Sequence, residues 1–408
     1  MNATAMPREI HALFAVRLVV SAGSFVGPFL AMMLTLRLGY DEASAGVFMS
    51  AVSVVSALGL FAGGKLGDRF NRPRVLTALQ LTTALVYTAC GVIGFNPVLP
   101  FLIAFGMGTL NGTWPVINAL VADLAPADRR REAFSLLYWG NNIGFSVGPL
   151  VAGMLFTSAP RALFFGNALA LAAAAGIVSL LVRGAGQVPR PRPEATSSAH
   201  ALSTLSVFKA NPILPLYALG AVLGAFVYGQ QGFALPVFLG SVFGPEAGPK
   251  AYGAVMMANG LTVVVMTAVV VVVSRHLRSL TAVAVSSLFY ALGFGAYWFV
   301  GGLPLAIGAT FVWTIGEILS ATNGNVFIAE RTPETHRSRV NSVVSLAYIV
   351  GGALAPLVAG PIASGWGSSA VWPFVAVCAL VSAAYQFGID RLDRRRGSTA
   401  VIPAASSE

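Results

Sequence analysis

The chain has 408 residues, of which 56% are hydrophobic and only 10% charged, and it carries a formal net charge of +10. A soluble domain holds about 25% charged residues, so lipid has to solvate this much apolar surface. The two cysteines lie in separate apolar stretches and the four histidines in or beside polar segments, which argues against a disulfide, a metal cluster or a histidine-based enzyme.

Apolar runs long enough to span a bilayer, about 20 residues, fall near 14–36, 44–63, 75–95, 98–121, 134–157, 162–182, 212–238, 251–273, 280–300, 304–327, 341–363 and 370–388. That predicts twelve membrane helices. The first run is too long for a signal core and carries Arg17. Of the 25 Lys and Arg residues, 21 fall on the face that holds the N-terminus, while Arg37, Arg161 and Lys250 fall on the other. By the positive-inside rule both termini are cytoplasmic. The basic charge is then a topology signal, which argues against a nucleic-acid partner.

Arg17 in the first run has two readings: a side chain that snorkels to the headgroups, or a counter-ion for an acidic residue or an anionic substrate. Phe25 lies further along the same run. The second run ends in the loop Gly64-Lys65-Leu66-Gly67-Asp68-Arg69-Phe70-Asn71-Arg72-Pro73-Arg74. There Gly64 and Gly67 are expected to let helices approach closely, and Asn71 to tolerate left-handed backbone. Asp68 is an acid at a membrane boundary, which needs a partner or a helix N-terminus. The fourth run holds Asn111 and Asn118 and ends at Asp123; the fifth holds Tyr138, Asn141, Asn142 and the small-residue pattern Gly144, Gly148, Pro149.

Residues 183–211 are rich in Pro, Ser and charge and read as a cytoplasmic linker between bundles over 1–182 and 212–396, with a disordered tail over 397–408. The seventh run brings Tyr228 and Gln231, and the tenth brings Trp313, Glu317 and Asn323. Glu317 is the one acid deep in an apolar run, where charges are expensive and face a cavity or pathway. It is a candidate proton site, cation site or both. Amides inside a membrane need partners, so the polar and aromatic residues named in these runs are the candidate cavity lining.

Residues 122–153 and 329–360 repeat one passage 207 positions apart, each with an acid (Asp123, Glu330), a proline, an arginine and a closing PLVAG. Two homologous halves in a membrane chain usually enclose a path, so transport leads over enzyme activity.

The loop from Gly64 to Arg74 resembles the signature loop of the major facilitator superfamily, with glycine, leucine, acid and two basic residues at matching spacing and Asn71 in place of the usual glycine. The resemblance implies an all-α integral membrane fold of twelve helices in two pseudo-symmetric six-helix bundles that rock around a central cavity. It implies that Asp68 caps the eleventh helix in one state, that Arg72 pairs with Asp123, and that Gly64, Gly67, Asp68, Arg69 and Arg72 act as a latch with Gly144, Gly148 and Pro149.

The fifth-run pattern resembles that of exporters exchanging substrate for protons, and Thr314-Ile315-Gly316-Glu317 resembles the tenth helix of proton-driven multidrug exporters and of proton-coupled peptide importers. The arginine that many proton antiporters carry in the fourth helix is absent from Leu102–Gly108, and Leu13 and Val16 stand where peptide importers place glutamates. The expectation is an inner-membrane multidrug antiporter that works as a monomer on its own two halves. Protons are exchanged at Glu317, Asp68 and Asp123 for an amphipathic or cationic compound, with the proton gradient and no cofactor as energy source. An importer of a sugar, peptide or organic acid, a lysolipid flippase and a transport-dead receptor or scaffold are the alternatives.

Overall fold

The computed structural model describes residues 6–126, 128–182, 207–209, 211–332 and 336–395. Most of the linker expected over 183–211, and the tail expected over 397–408, lie outside the described residues. The first half contains α1 (Arg8–Ala22), α2 (Val26–Met32) with a π-helical turn at Met33–Arg37, α3 (Glu42–Arg69), α4 (Arg72–Ile93), α5 (Leu99–Asn111), α6 (Thr113–Leu124), α7 (Arg130–Ser158) and α8 (Ala162–Leu181). The second contains α9 (Ile213–Gly229), α10 (Ala234–Ser274), α11 (Ser279–Ala296), α12 (Leu303–Arg331), α13 (Arg337–Trp366) and α14 (Val371–Arg395). No strand occurs among the described residues.

Among those residues, nine segments are long and apolar enough to cross a bilayer, and one of them, Ile213–Ser274, covers two predicted runs. The other two predicted runs are helical but miss that standard. The fourth is split at Gly112 into α5 and α6. Pro115 has no N–H to give the Asn111 carbonyl, which ends the ladder there. The fifth is α7, whose amides and glycines dilute its apolar character. The first run is likewise interrupted at Gly23–Phe25, where Pro28 cannot donate to the Ser24 carbonyl. Within α10, Gly244 sits at φ +79° just before Pro245 and separates two helical segments.

The chain clusters into two compact units. The first joins Met1–Pro189 with Gln231–Val264 and Ala359–Ser368; the second holds Arg190–Gln230, Val265–Val358 and Ser369–Glu408. In the first, α1 packs on α7 and α8, α4 on α8, and α3 on α5 and α6. Its core includes Leu13, Val16, Leu76, Leu120, Val121 and Val178. In the second, α11 lies between α12 and α14, around Tyr217, Leu280, Phe327 and Ile389. Leu58, Leu85, Phe101, Leu169 and Leu180 point outward. Apolar side chains exposed along whole helices call for lipid as solvent.

Two local expectations, at Asn71 and Gly64, are corrected, while the close approach at Gly67 is found. Asn71 is not left-handed: its φ is −62°, and its side chain caps α4 by accepting from the Arg74 N–H at 3.1 Å. Gly64 does not make the close helix contact, because a Cβ there would find its nearest neighbour, Pro115, at 3.8 Å. A Cβ on Gly67 would stand 3.2 Å from a Val116 methyl, tight but against a side chain. The backbone-to-backbone approach lies one turn earlier, where Gly59 and Gly63 rest against the carbonyls of Gly108 and Gly112. Asp41 caps α3, accepting from the N–H groups of Ala43 and Ser44. Hydrogen bonding from Ser44 is the main reason its carboxyl sits below the usual carboxylate range.

Candidate functional site

Glu317 lies mid-way along α12 and faces a cavity of about 310 Å³ inside the second unit. Tyr228, at the end of α9, donates its hydroxyl to Glu317 Oε1 at 2.8 Å. Tyr217, Tyr290 and Tyr348 line the same cavity, with Ser320, Asn325 and Gln386 between them. Tyr228 stands 6.1 Å from Tyr290 and 6.2 Å from Trp313, and Trp313 stacks on Phe294 at 5.3 Å. A single carboxylate with a hydroxyl donor, walled by ring faces, suits a cation: the carboxylate supplies charge and the rings supply negative π-faces. It also suits a proton, which the carboxyl can take or release as its surroundings change.

The first unit has its own cavity, of about 200 Å³, lined by Arg17, Gln80, Trp114 and Asn141 among others. Arg17 is 5% exposed, with its guanidinium carbon 3.5 Å from the centre of the Trp114 ring. It therefore does not snorkel. Ser21 donates to Asn141 across this cavity at 2.9 Å.

The other lining candidates border neither cavity. The amides of Asn111, Asn142 and Asn323 turn back to the carbonyls of Met107, Tyr138 and Leu319, four residues earlier on their own helices, at 2.9 to 3.0 Å. Asn118 and Tyr138 are exposed. Phe25 packs its ring on Gly166, Trp313 is fully buried within the aromatic stack, and the Gln231 carbonyl accepts from the Tyr252 hydroxyl. Sequence reasoning passed over Gln80, Trp114, Tyr290 and Tyr348. The repeat held a usable signal, since Asn141 and Tyr348 are 207 positions apart and line one cavity each.

At the ends of α4 and α6, Arg72 forms the expected ion pair with Asp123, reaches Asp68 at 3.4 Å and donates to the carbonyls of Gly67 and Ala119. Arg69 lies over the Phe70 ring at 5.5 Å. Gly144 and Gly148 bring α7 onto the backbone of α1 at Leu18–Ala22, and Pro149 and Gly153 meet Gly253 and Pro249 of α10. The second unit holds a clamp that sequence reasoning missed. Arg278 reaches Asp390 at 3.0 Å and Asp393 at 2.7 Å, while Arg331 reaches Asp393 at 2.6 Å and Arg394 reaches Asp390 at 2.7 Å.

Comparison with known proteins agrees with this architecture. The chain is 24% identical over 372 residues to a Na(+), Li(+), K(+)/H(+) antiporter of Planococcus maritimus, covering 81% of this chain and 84% of the relative. It is 32% identical over 157 residues to the multidrug resistance protein MdtG of Dickeya zeae, a match limited to 37% of this chain and 38% of that one. Among solved structures, a peptide transporter POT in complex with sulfate superposes with a TM-score of 0.77 at 16% identity, covering 97% of this chain and 96% of the other. The profile described as Major Facilitator Superfamily matches residues 12–356. With that span and this fold, the chain belongs to the major facilitator superfamily and is one of its membrane transporters rather than an enzyme.

Proposed function

We propose that this transporter is a proton-coupled antiporter that exports amphipathic or cationic small molecules, with Glu317 as the group that exchanges the proton. The observation that carries the proposal is the Glu317 carboxylate, held by the Tyr228 hydroxyl inside a cavity walled by tyrosines. Substrate and proton compete for one carboxylate. A bound cation displaces the proton, and reprotonation from the far side expels the cation. The names of the antiporter and multidrug relatives support this direction.

The halves 1–182 and 212–396 serve as the two rocking bundles, with Asp68, Arg72 and Asp123 at their latch, both termini in the cytoplasm, and a monomer in the inner membrane as the working unit. A proton entering down the membrane potential gains about 2.3 kcal/mol per 100 mV. That drives about 50-fold accumulation of a neutral substrate per proton, whereas a monovalent cation exchanged one for one moves no net charge and is driven by the pH difference.

The test is proton movement in proteoliposomes with an internal pH dye, comparing wild type with Glu317→Gln. Lipophilic cations are expected to trigger proton release through wild type and none through the variant. Release triggered by Na+ or K+ alone would move the substrate class to inorganic cations. A peptide or sugar that carries protons in its own direction would overturn export, and an unchanged variant would overturn the role of Glu317.

A further inference from the structure

The 207-residue repeat places the two cavities in equivalent positions of the two halves. Leu110 corresponds to Glu317, Arg17 to Gly224, Gln80 to Ser287 and Asn141 to Tyr348, and each lines the cavity of its own half. The charge is exchanged between them. Where the second half has a carboxylate the first has Leu110, and where the first has a guanidinium the second has Gly224.

Arg17 is nearly fully buried, and its recorded contact is with the Trp114 ring face. No acidic side chain pairs with it among the described residues. A ring stacked on its face leaves the in-plane N–H groups of a guanidinium unsatisfied, and that edge fits a carboxylate with two parallel hydrogen bonds. Gln80 adds a second unanswered demand on the same cavity: its side-chain N and O are both buried without a partner. Buried polar groups left this way call for an explanation, a bound ligand, ion or water among them. Ile117, Phe145 and Leu171 supply apolar wall.

We propose that this first-half cavity is a binding site for the carboxylate of a small organic monoanion, with Arg17 as the bidentate partner, Gln80 as a further donor, and the apolar wall holding the body of the molecule. A phosphate-bearing molecule would meet the same N–H groups. The cavity size and the apolar wall favour a compact carboxylate with a hydrophobic body. The site rests on the first unit alone, so it stands or falls apart from the role of Glu317.

The experiment is titration of the full-length protein in detergent with benzoate, its neutral analogue benzamide and inorganic phosphate, read by calorimetry and by the shift in unfolding temperature. Benzoate is expected to bind saturably to wild type and to Glu317→Gln alike, and benzamide not to bind. Arg17→Gln is expected to weaken benzoate at least tenfold, Gln80→Leu several-fold, and Arg17→Lys to restore part of the loss. Should Arg17→Gln fail to fold, Arg17→Lys and Gln80→Leu carry the test. Equal affinity in all variants, equal binding of benzamide, or phosphate binding without benzoate would each overturn the proposal.

Discussion

At positions 59, 63, 108 and 112 the first half carries glycine, while 207 residues on the second half carries Met266, Val270, Ile315 and Leu319. In the first half α3 therefore lies backbone on backbone against α5 and α6. The corresponding side chains of the second half forbid that approach. The helix ends at Arg72 and at its equivalent Ser279 differ in the same way. Arg72 and Asp123 form an ion pair, whereas their equivalents, Ser279 and Glu330, make a single hydroxyl-to-carboxylate hydrogen bond at 2.8 Å. The charge of the second half has moved to Asp390 and Asp393, which are almost fully buried beneath Arg278, Arg331 and Arg394. The repeat has kept equivalent positions in its two halves and filled them with different chemistry.

The strongest way to break this comparison is to give the first half the side chains of the second. Gly63→Val puts a branched side chain where the Gly112 carbonyl already stands. Overpacking typically costs about 1–3 kcal/mol and occasionally more, and here the added group meets a carbonyl oxygen that cannot swing aside as a flexible side chain can. The expected loss is at or above about 3 kcal/mol, seen as poor recovery of folded protein and a lower unfolding temperature in detergent. Gly64→Ala is the control. With 3.8 Å of room it should hold or raise the unfolding temperature, since alanine gains helix propensity over glycine.

Next in size is Asp393→Ala. It strips the shared carboxylate from Arg278 and Arg331 in the second half. Removing one partner of a fully buried ion pair costs about 3–5 kcal/mol. Asp393 is buried but Arg278 is 38% exposed and keeps Asp390, so the loss should fall below that range and above that of an exposed pair. Asp123→Ala removes the equivalent contact of the first half, but there the Asp123 side chain is 39% exposed and Arg72 keeps Asp68 and two carbonyls. Its stability cost should stay within about 1 kcal/mol. Equal losses from the two variants would show that burial does not separate the two ends.

What was legible beforehand follows from what lipid demands. A bilayer requires runs of apolar residues, so every predicted run falls on a helix, including the fourth, which is split, and the fifth, which is rich in glycine and amides. Glu317 was legible because a lone acid in such a run has few uses. Asn111, Asn142 and Asn323 were named for needing partners, and each amide nitrogen finds one on the carbonyl four residues back. The identity of the residue gives no hint of this. Asp390 and Asp393 were hidden for another reason: beside Arg391, Arg394 and Arg395 they read as part of a solvated tail, and only the fold brings Arg278 and Arg331 over them. Gln80 and Tyr348 resembled ordinary helix residues until their partners in the repeat gave them a place.

The smallest effect sharpens the comparison most. Ser279→Ala removes the hydroxyl that answers Glu330, at the position where the first half has Arg72. If the second half has shifted its holding contacts to the Asp390–Asp393 clamp, this hydrogen bond is a remnant at an exposed site. Its loss should cost no more than about 0.5–1.5 kcal/mol. In the Asp393→Ala background the same change should add its own cost and nothing more, because Ser279 and Glu330 share no hydrogen bond with Asp393. A double-mutant cycle read by unfolding temperature measures this directly. A coupling well above about 0.5 kcal/mol would mean that the remnant and the clamp form one network. The second half would then have enlarged the contact inherited by the repeat rather than replaced it.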